Sequence, residues 1–158
     1  MKTVIMMVGL PGSGKSTYIK QEMEKYKDHD IFVYSTDNIL LEFAEQEETN
    51  YQDSFKKNYK KAIKEANKRL SDFLDNGGEV VIWDQTNISS NSRKKKLERF
   101  HGFNKHAIVV KTDIETCIER ASKRETYTVP DFVIKQMHDQ FEDPAKEEGF
   151  DSITVINT

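Results

Sequence analysis

At 158 residues the chain has room for one domain, and a domain of that length buries about 70% of the surface its unfolded chain exposes. Its 24 Lys and Arg against 27 Asp and Glu leave a net charge of −3, which excludes recognition of nucleic acid through a global positive field. Cys117 is the single cysteine, so an intrachain disulfide is ruled out and a reducing cytoplasm fits; no apolar run reaches membrane-spanning length, and the expectation is one soluble domain over residues 1–158.

Lys2 to Val8 is a short, nearly continuous apolar run, the pattern of a parallel strand buried on both faces. Gly9-Leu10-Pro11-Gly12-Ser13-Gly14-Lys15-Ser16-Thr17 follows and matches the phosphate loop G-x-x-x-x-G-K-[ST], with a helix pattern over Tyr18 to Lys27 behind it. The glycines let backbone N–H groups turn inward into a nest for the β-phosphate, and the helix start aims its free N–H groups at the same anion. Lys15 can reach the β- and γ-phosphates, and the Ser16 hydroxyl can ligate Mg²⁺. The nucleotide-binding set is therefore Gly12, Ser13, Gly14, Lys15, Ser16 and Thr17.

Ile31 to Ser35 predicts a second strand that closes on Thr36-Asp37-Asn38 before a helix over Ile39 to Glu45. Asp37 reads equally as an N-cap and as a carboxylate facing the ligand crevice at the end of a parallel strand. Glu42, Glu45, Glu47 and Glu48 make the next stretch an acidic, solvated rim. The longest helix pattern runs from Tyr51 to Asn76, with Phe55, Tyr59, Ala62, Ile63, Ala66, Leu70, Phe73 and Leu74 on one apolar face, Gly77-Gly78 as its stop, and Lys56, Lys60, Lys64 and Lys68 on another face.

Glu79 to Trp83 predicts a third strand ending on Asp84, the position of the second acidic residue of phosphate-loop proteins, with a strand-end cap as its alternative. Ser89 to His101 reads as a helix whose Arg93, Lys94, Lys95, Lys96 and Arg99 make a strongly positive surface. His106 to Lys111 is a fourth strand, and Asp113 to Lys123 a helix in which Cys117 fits a small core position. Arg120, Lys123 and Arg124 sit at or just past the cationic end of that helix, where they either answer its dipole or form a basic lid over nucleotide phosphates. Pro130 opens a helix with Phe132, Val133, Met137 and Phe141 on its apolar side, and Ser152 to Ile156 is a last strand. The four histidines have no metal-ligand spacing.

Strand, loop and helix thus repeat about five times, which predicts an α/β three-layer sandwich of phosphate-loop kinase type: a parallel sheet with helices on both faces and a short arginine-bearing lid. A GTP-binding switch is disfavoured, because Asn104-Lys105 is followed by His106-Ala107 instead of the Asp-bearing base-reading segment and precedes its strand.

Four segments carry a family resemblance: Gly9 to Thr17, Asp37 after the second strand, Asp84-Gln85-Thr86-Asn87, and Arg120-Ala121-Ser122-Lys123-Arg124 followed by Val129-Pro130. In that order and spacing the chain resembles the polynucleotide 5′-hydroxyl kinase domain of phage kinase–phosphatase enzymes and the small kinases grouped with it. The resemblance implies ATP as phosphate donor with Mg²⁺, Lys15 and the loop amides on the donor phosphates, and Ser16 on the metal. It implies Asp37 as the general base, Asp84 near the metal or steadying the lid arginine, and Arg124 with Arg120 neutralising the moving γ-phosphoryl. The acceptor implied is a DNA or RNA 5′-hydroxyl end. Two departures favour a small hydroxyl compound (nucleoside, sugar or antibiotic) instead: Leu40 stands three positions after Asp37 where the phage enzymes have an acceptor-phosphate arginine, and an acidic stretch follows. A catalytically idle ATP-binding regulator is a third reading, opposed by the intact Lys15, Asp37 and Arg124.

Overall fold

The computed structural model describes residues 2–158. In chain order the elements are β1 (Thr3–Val8), α1 (Lys15–Lys25), β2 (Ile31–Tyr34), α2 (Thr36–Gln46), α3 (Tyr51–Asp75), β3 (Val80–Trp83), α4 (Ser90–Leu97), β4 (Asn104–Lys111), α5 (Ile114–Ser122), α6 (Asp131–Gln140), a 3₁₀ turn (Lys146–Glu148) and β5 (Ser152–Asn157). The five strands form one parallel sheet in the order β2-β3-β1-β4-β5, with Ile5 opposite Ile82 on one side and His106 on the other. The expected α/β sandwich is thus present.

Side chains of β1 alternate between two cores, as the two-residue period of a strand requires. Val4, Met6 and Val8 face Leu40, Ala62, Ala66, Leu70 and Phe100, so α2 and α3 cover that side. Ile5 and Met7 face Ile19 and Tyr26 of the α1 region with Ile82, Ile108 and Val110. A third cluster of Leu10, Cys117, Ala121 and Ile134 seats α5 and α6 against the phosphate loop. Cys117 is fully buried, as expected of a core position.

Helix starts are set by side-chain caps. Ser35 caps α2 by accepting from the Asn38 N–H, Asn50 caps α3, Ser89 caps α4 and Asp113 caps α5. Asp37 is therefore not the cap; it lies in the first turn of α2 with its carboxylate free to face elsewhere. Gly14, the N-cap of α1, offers no side-chain acceptor.

Four expectations are corrected. The buried seam of α3 is Ser54, Asn58, Ala62, Ala66 and Leu70, while Phe55 and Tyr59 are 43% and 45% exposed. The Ser54 hydroxyl donates to the Leu40 carbonyl at 2.7 Å, so a polar residue serves the α2–α3 contact where an aromatic ring was expected. Arg93 contributes nothing to a positive surface. It is fully buried, its Nε and Nη2 donating to the Glu148 carboxylate at 2.7 and 2.9 Å and its Nη1 to the Asn87 carbonyl at 2.8 Å. α4 also stops at Leu97, short of His101. On α6, Ile134 and Met137 make the contacts with the Leu10–Cys117–Ala121 cluster, while Phe132 is 70% exposed.

Candidate active site

In this strand order the carboxyl ends of β1, β2 and β3 meet at the reversal of the sheet, where ligands of open α/β sheets bind. The phosphate loop leaves β1 there. Gly12 and Gly14 have φ of +79° and +101°, a left-handed conformation that a side chain would strain. Gly12 is also bound by space, since a Cβ on it would lie 2.3 Å from the Cys117 carbonyl oxygen of α5. Two neighbouring loops hold the turn: the Gly9 N–H donates to the Thr86 carbonyl at 3.0 Å, and the Thr112 hydroxyl donates to the Ser13 carbonyl at 2.8 Å.

Lys15 folds back over this loop, its Nζ donating to the Gly9 and Leu10 carbonyls at 2.8 and 2.9 Å. Burial pushes its pKa down to about 8, against the pull of the Asp84 carboxylate. Asp84 directly follows β3, its N–H donating to the Tyr34 carbonyl at 2.8 Å. Burial raises its carboxyl above the ordinary range, with Lys15 opposing.

Asp37 lies across the same cleft. Its Oδ1 accepts from the Tyr51 hydroxyl at 2.6 Å and its Oδ2 from the Tyr127 hydroxyl at 3.1 Å. The phenol of Tyr127 is pushed up to about 12, first by burial and then by the Asp37 charge. Tyr51 is raised for the same two reasons, adding the hydrogen bond to Asp37. Both phenols therefore stay protonated and donate.

The two arginines are separated by structure. Arg120 is on α5, with a guanidinium nitrogen 3.4 Å from where a Cβ on Gly14 would sit. Arg124 lies just past that helix, since α5 ends at Ser122, on the connection to α6. Its guanidinium rests over the Tyr127 ring, 5.1 Å from the centroid.

Gly12, Gly14, Lys15, Ser16, Asp37, Asp84, Arg120 and Arg124 all line one open cleft of ≈ 1000 Å³. Ser13 and Thr17 do not. The Ser13 side chain is buried with its hydroxyl unpartnered, and its N–H is spent on the Leu10 carbonyl. The rest of the wall was missed from sequence: Tyr51, Phe55 and Tyr59 of α3, with Tyr127 stacked on Tyr51. Phe55 and Tyr59 read as core because they keep helical spacing with the true seam. The available signal was that Ser54 and Asn58, one position earlier, complete the same spacing.

The donor set fits a triphosphate. α1, unlike α2 to α5, has no side-chain cap on its first N–H groups, and these follow two left-handed glycines and begin at Lys15. Among the described residues no cluster of three or more His, Cys, Asp or Glu could hold a metal. Ser16 and Asp84 bring one hydroxyl and one carboxylate to the cleft, a donor set of the kind Mg²⁺ takes, with phosphates completing its shell.

Residues 4–144 match the AAA_33 family model, an AAA domain. The chain belongs to that family. It is 28% identical over 98% of its length to an L-seryl-tRNA(Sec) kinase of Methanococcus maripaludis. Over 69% of its length it is 30% identical to 6-phosphofructo-2-kinase 1 of Saccharomyces cerevisiae. The chain spans 59% and 15% of those two relatives. Among solved structures, a gluconokinase from Sinorhizobium meliloti 1021 superposes with a TM-score of 0.59 at 18% identity, covering 98% of this chain and 82% of that one. This AAA-family chain therefore has the fold of small phosphate-loop kinases. No described helix is long and apolar enough to cross a membrane.

Proposed function

We propose that the protein is an ATP-dependent kinase that moves the γ-phosphoryl group of ATP to a hydroxyl of a small, ring-bearing compound. The observation that carries this reading is Asp37: a carboxylate outside every cap and ion pair, facing the phosphate loop across one cleft. Relatives named as kinases support the reaction class.

Each side chain then has a part. Lys15 leaves the Gly9 and Leu10 carbonyls for the β- and γ-phosphates, whose negative charge offsets the cost of burying its ammonium. Arg120 and Arg124 neutralise the phosphoryl group in transit, where positioning and electrostatics supply most of the catalysis. The acceptor oxygen bonds to Pγ as the bond from Pγ to the ADP oxygen breaks, and Asp37 takes the hydroxyl proton. The Ser16 hydroxyl would hold Mg²⁺ with Asp84 near it, and bound Mg²⁺ neutralises phosphate charge.

The acceptor half argues for a small ring-bearing compound. Tyr51, Phe55 and Tyr59 form a wall on α3 with ring centroids 6.0 and 4.8 Å apart, suited to the face of a nucleobase or sugar ring. Leu40 is fully buried and touches no acceptor, and the inward-turned Arg93 removes one cation from the basic segment. A polynucleotide 5′-hydroxyl end is the second reading. It is favoured by Lys56, which lines the cleft beside Phe55 and begins the exposed row of Lys60, Lys64 and Lys68, an aromatic-and-lysine pairing that suits single strands.

Incubation with γ-labelled ATP and Mg²⁺ against nucleosides, sugars and 5′-hydroxyl oligonucleotides separates the readings. Label in small compounds is expected. Label confined to oligonucleotides and falling steeply with salt installs the second reading, and no label anywhere leaves an idle ATP-binding regulator.

A further inference from the structure

Both oxygens of the Asp37 carboxylate are occupied, and by tyrosines from different parts of the chain. Tyr51 is the first residue of α3 and donates the shorter bond, 2.6 Å to Oδ1. Tyr127 belongs to the connection between α5 and α6 and donates the longer one, 3.1 Å to Oδ2. The two rings stack, with centroids 4.0 Å apart and an interplanar angle of 18°, so the carboxylate is gripped by a pair rather than by two independent phenols. The same connection carries Arg124, whose guanidinium rests on the outer partner of the stack, Tyr127.

A general base needs a lone pair aimed at the reacting hydroxyl, and a carboxylate oxygen already accepting a charge-assisted hydrogen bond is a weaker base. We infer that Tyr51 is a positioning residue that fixes the Asp37 carboxylate, and that Tyr127 is a latch that occupies its reactive oxygen Oδ2 and parks Arg124 until an acceptor hydroxyl takes its place. The inference rests on Asp37 being the base. Because Tyr127 and Arg124 share one short connection, a single movement of it releases Oδ2 to the acceptor and Arg124 to the phosphates. Water, lacking the contacts that displace Tyr127, is thereby a poor substitute acceptor, and ATP is not wasted.

That wasteful reaction is the readout, since it needs no knowledge of the acceptor. In it a water oxygen bonds to Pγ, the bond from Pγ to the ADP oxygen breaks, and Asp37 takes the water proton, giving ADP and phosphate. MgATP hydrolysis without acceptor is measured for wild type, Tyr127→Phe, Tyr51→Phe and Asp37→Asn, with calorimetric binding of the non-hydrolysable analogue AMP-PNP alongside. Tyr127→Phe keeps the ring stack and the contact with Arg124 and removes only the hydroxyl; hydrolysis is expected to rise about tenfold, the worth of a hydrogen bond to a charged group. Tyr51→Phe is expected to lower it about tenfold, with AMP-PNP affinity within about twofold of wild type in both. A merely structural pair would move both rates the same way. A fall in Tyr127→Phe, or no change there while Asp37→Asn is inactive, overturns the latch. Unchanged hydrolysis in Asp37→Asn overturns the base itself, a failure distinct from that of the latch.

Discussion

Lys15 is a residue that the empty protein would be more stable without. Its ammonium is enclosed by the phosphate loop, and burial lowers its pKa from 10.5 to about 8. At about 1.36 kcal/mol for each pH unit, holding that lysine charged in the folded state at pH 7 costs about 3 kcal/mol relative to the unfolded chain. Two hydrogen bonds to the Gly9 and Leu10 carbonyls are lost with the side chain. At about 0.5–1.5 kcal/mol each they offset part of the gain. Lys15→Met, which keeps the volume of the stem, is thus expected to stabilise the empty protein by about 1–2 kcal/mol at pH 7. The pH dependence is more telling than the size. Between about 8 and 10.5 the unfolded chain still holds the Lys15 proton and the folded protein does not, so wild-type stability gains with rising pH through that window. The advantage of Lys15→Met must therefore shrink from pH 8 upward, pass through zero inside that window and reverse by about 1–2 kcal/mol near pH 10.5, where only the lost hydrogen bonds still count. Urea unfolding of both proteins at a series of pH values measures this, and taking their difference cancels the other groups that titrate there. An advantage that stays flat across that range would falsify the burial argument.

Other consequences are as direct. Asp37→Asn keeps the shape and removes the proposed base; turnover on the true acceptor should fall about 10²–10⁴-fold while AMP-PNP binding stays near wild type, and near-normal turnover would sink the assignment. Glu148→Gln leaves the buried Arg93 without its counter-charge, with an expected loss of about 3–5 kcal/mol in chemical denaturation. Burial alone would raise the Glu148 carboxyl, but the Arg93 hydrogen bond holds it below the ordinary range. Its contribution is therefore complete above the unfolded carboxyl range and is lost as pH falls through the lower folded value. Gly12→Ala places a methyl 2.3 Å from the Cys117 carbonyl at a φ of +79°, so AMP-PNP binding by calorimetry should weaken at least tenfold; unchanged affinity would show that α5 yields.

Local chemistry was enough for much of this protein. Apolar runs marked all five strands, and the phosphate loop announced itself because its function is written in consecutive backbone groups. Asp37 and Asp84 were visible as acids at strand ends, since a parallel sheet brings those ends to one crevice whatever covers it. What tertiary structure decided were matters of phase and partner. Phe55 and Tyr59 keep helical spacing with Ala62, Ala66 and Leu70 yet line the cleft, while Ser54 and Asn58, one position earlier, take the buried places and Ser54 hydrogen-bonds the Leu40 carbonyl. Arg93 looks like its neighbours Lys94 and Lys95 until Glu148, fifty-five positions away, draws it inside. The tyrosines on Asp37 come from positions 51 and 127, and nothing short of the folded chain pairs them. Periodicity reports that a helix has a face; only packing chooses which face, and only packing brings distant side chains to one carboxylate.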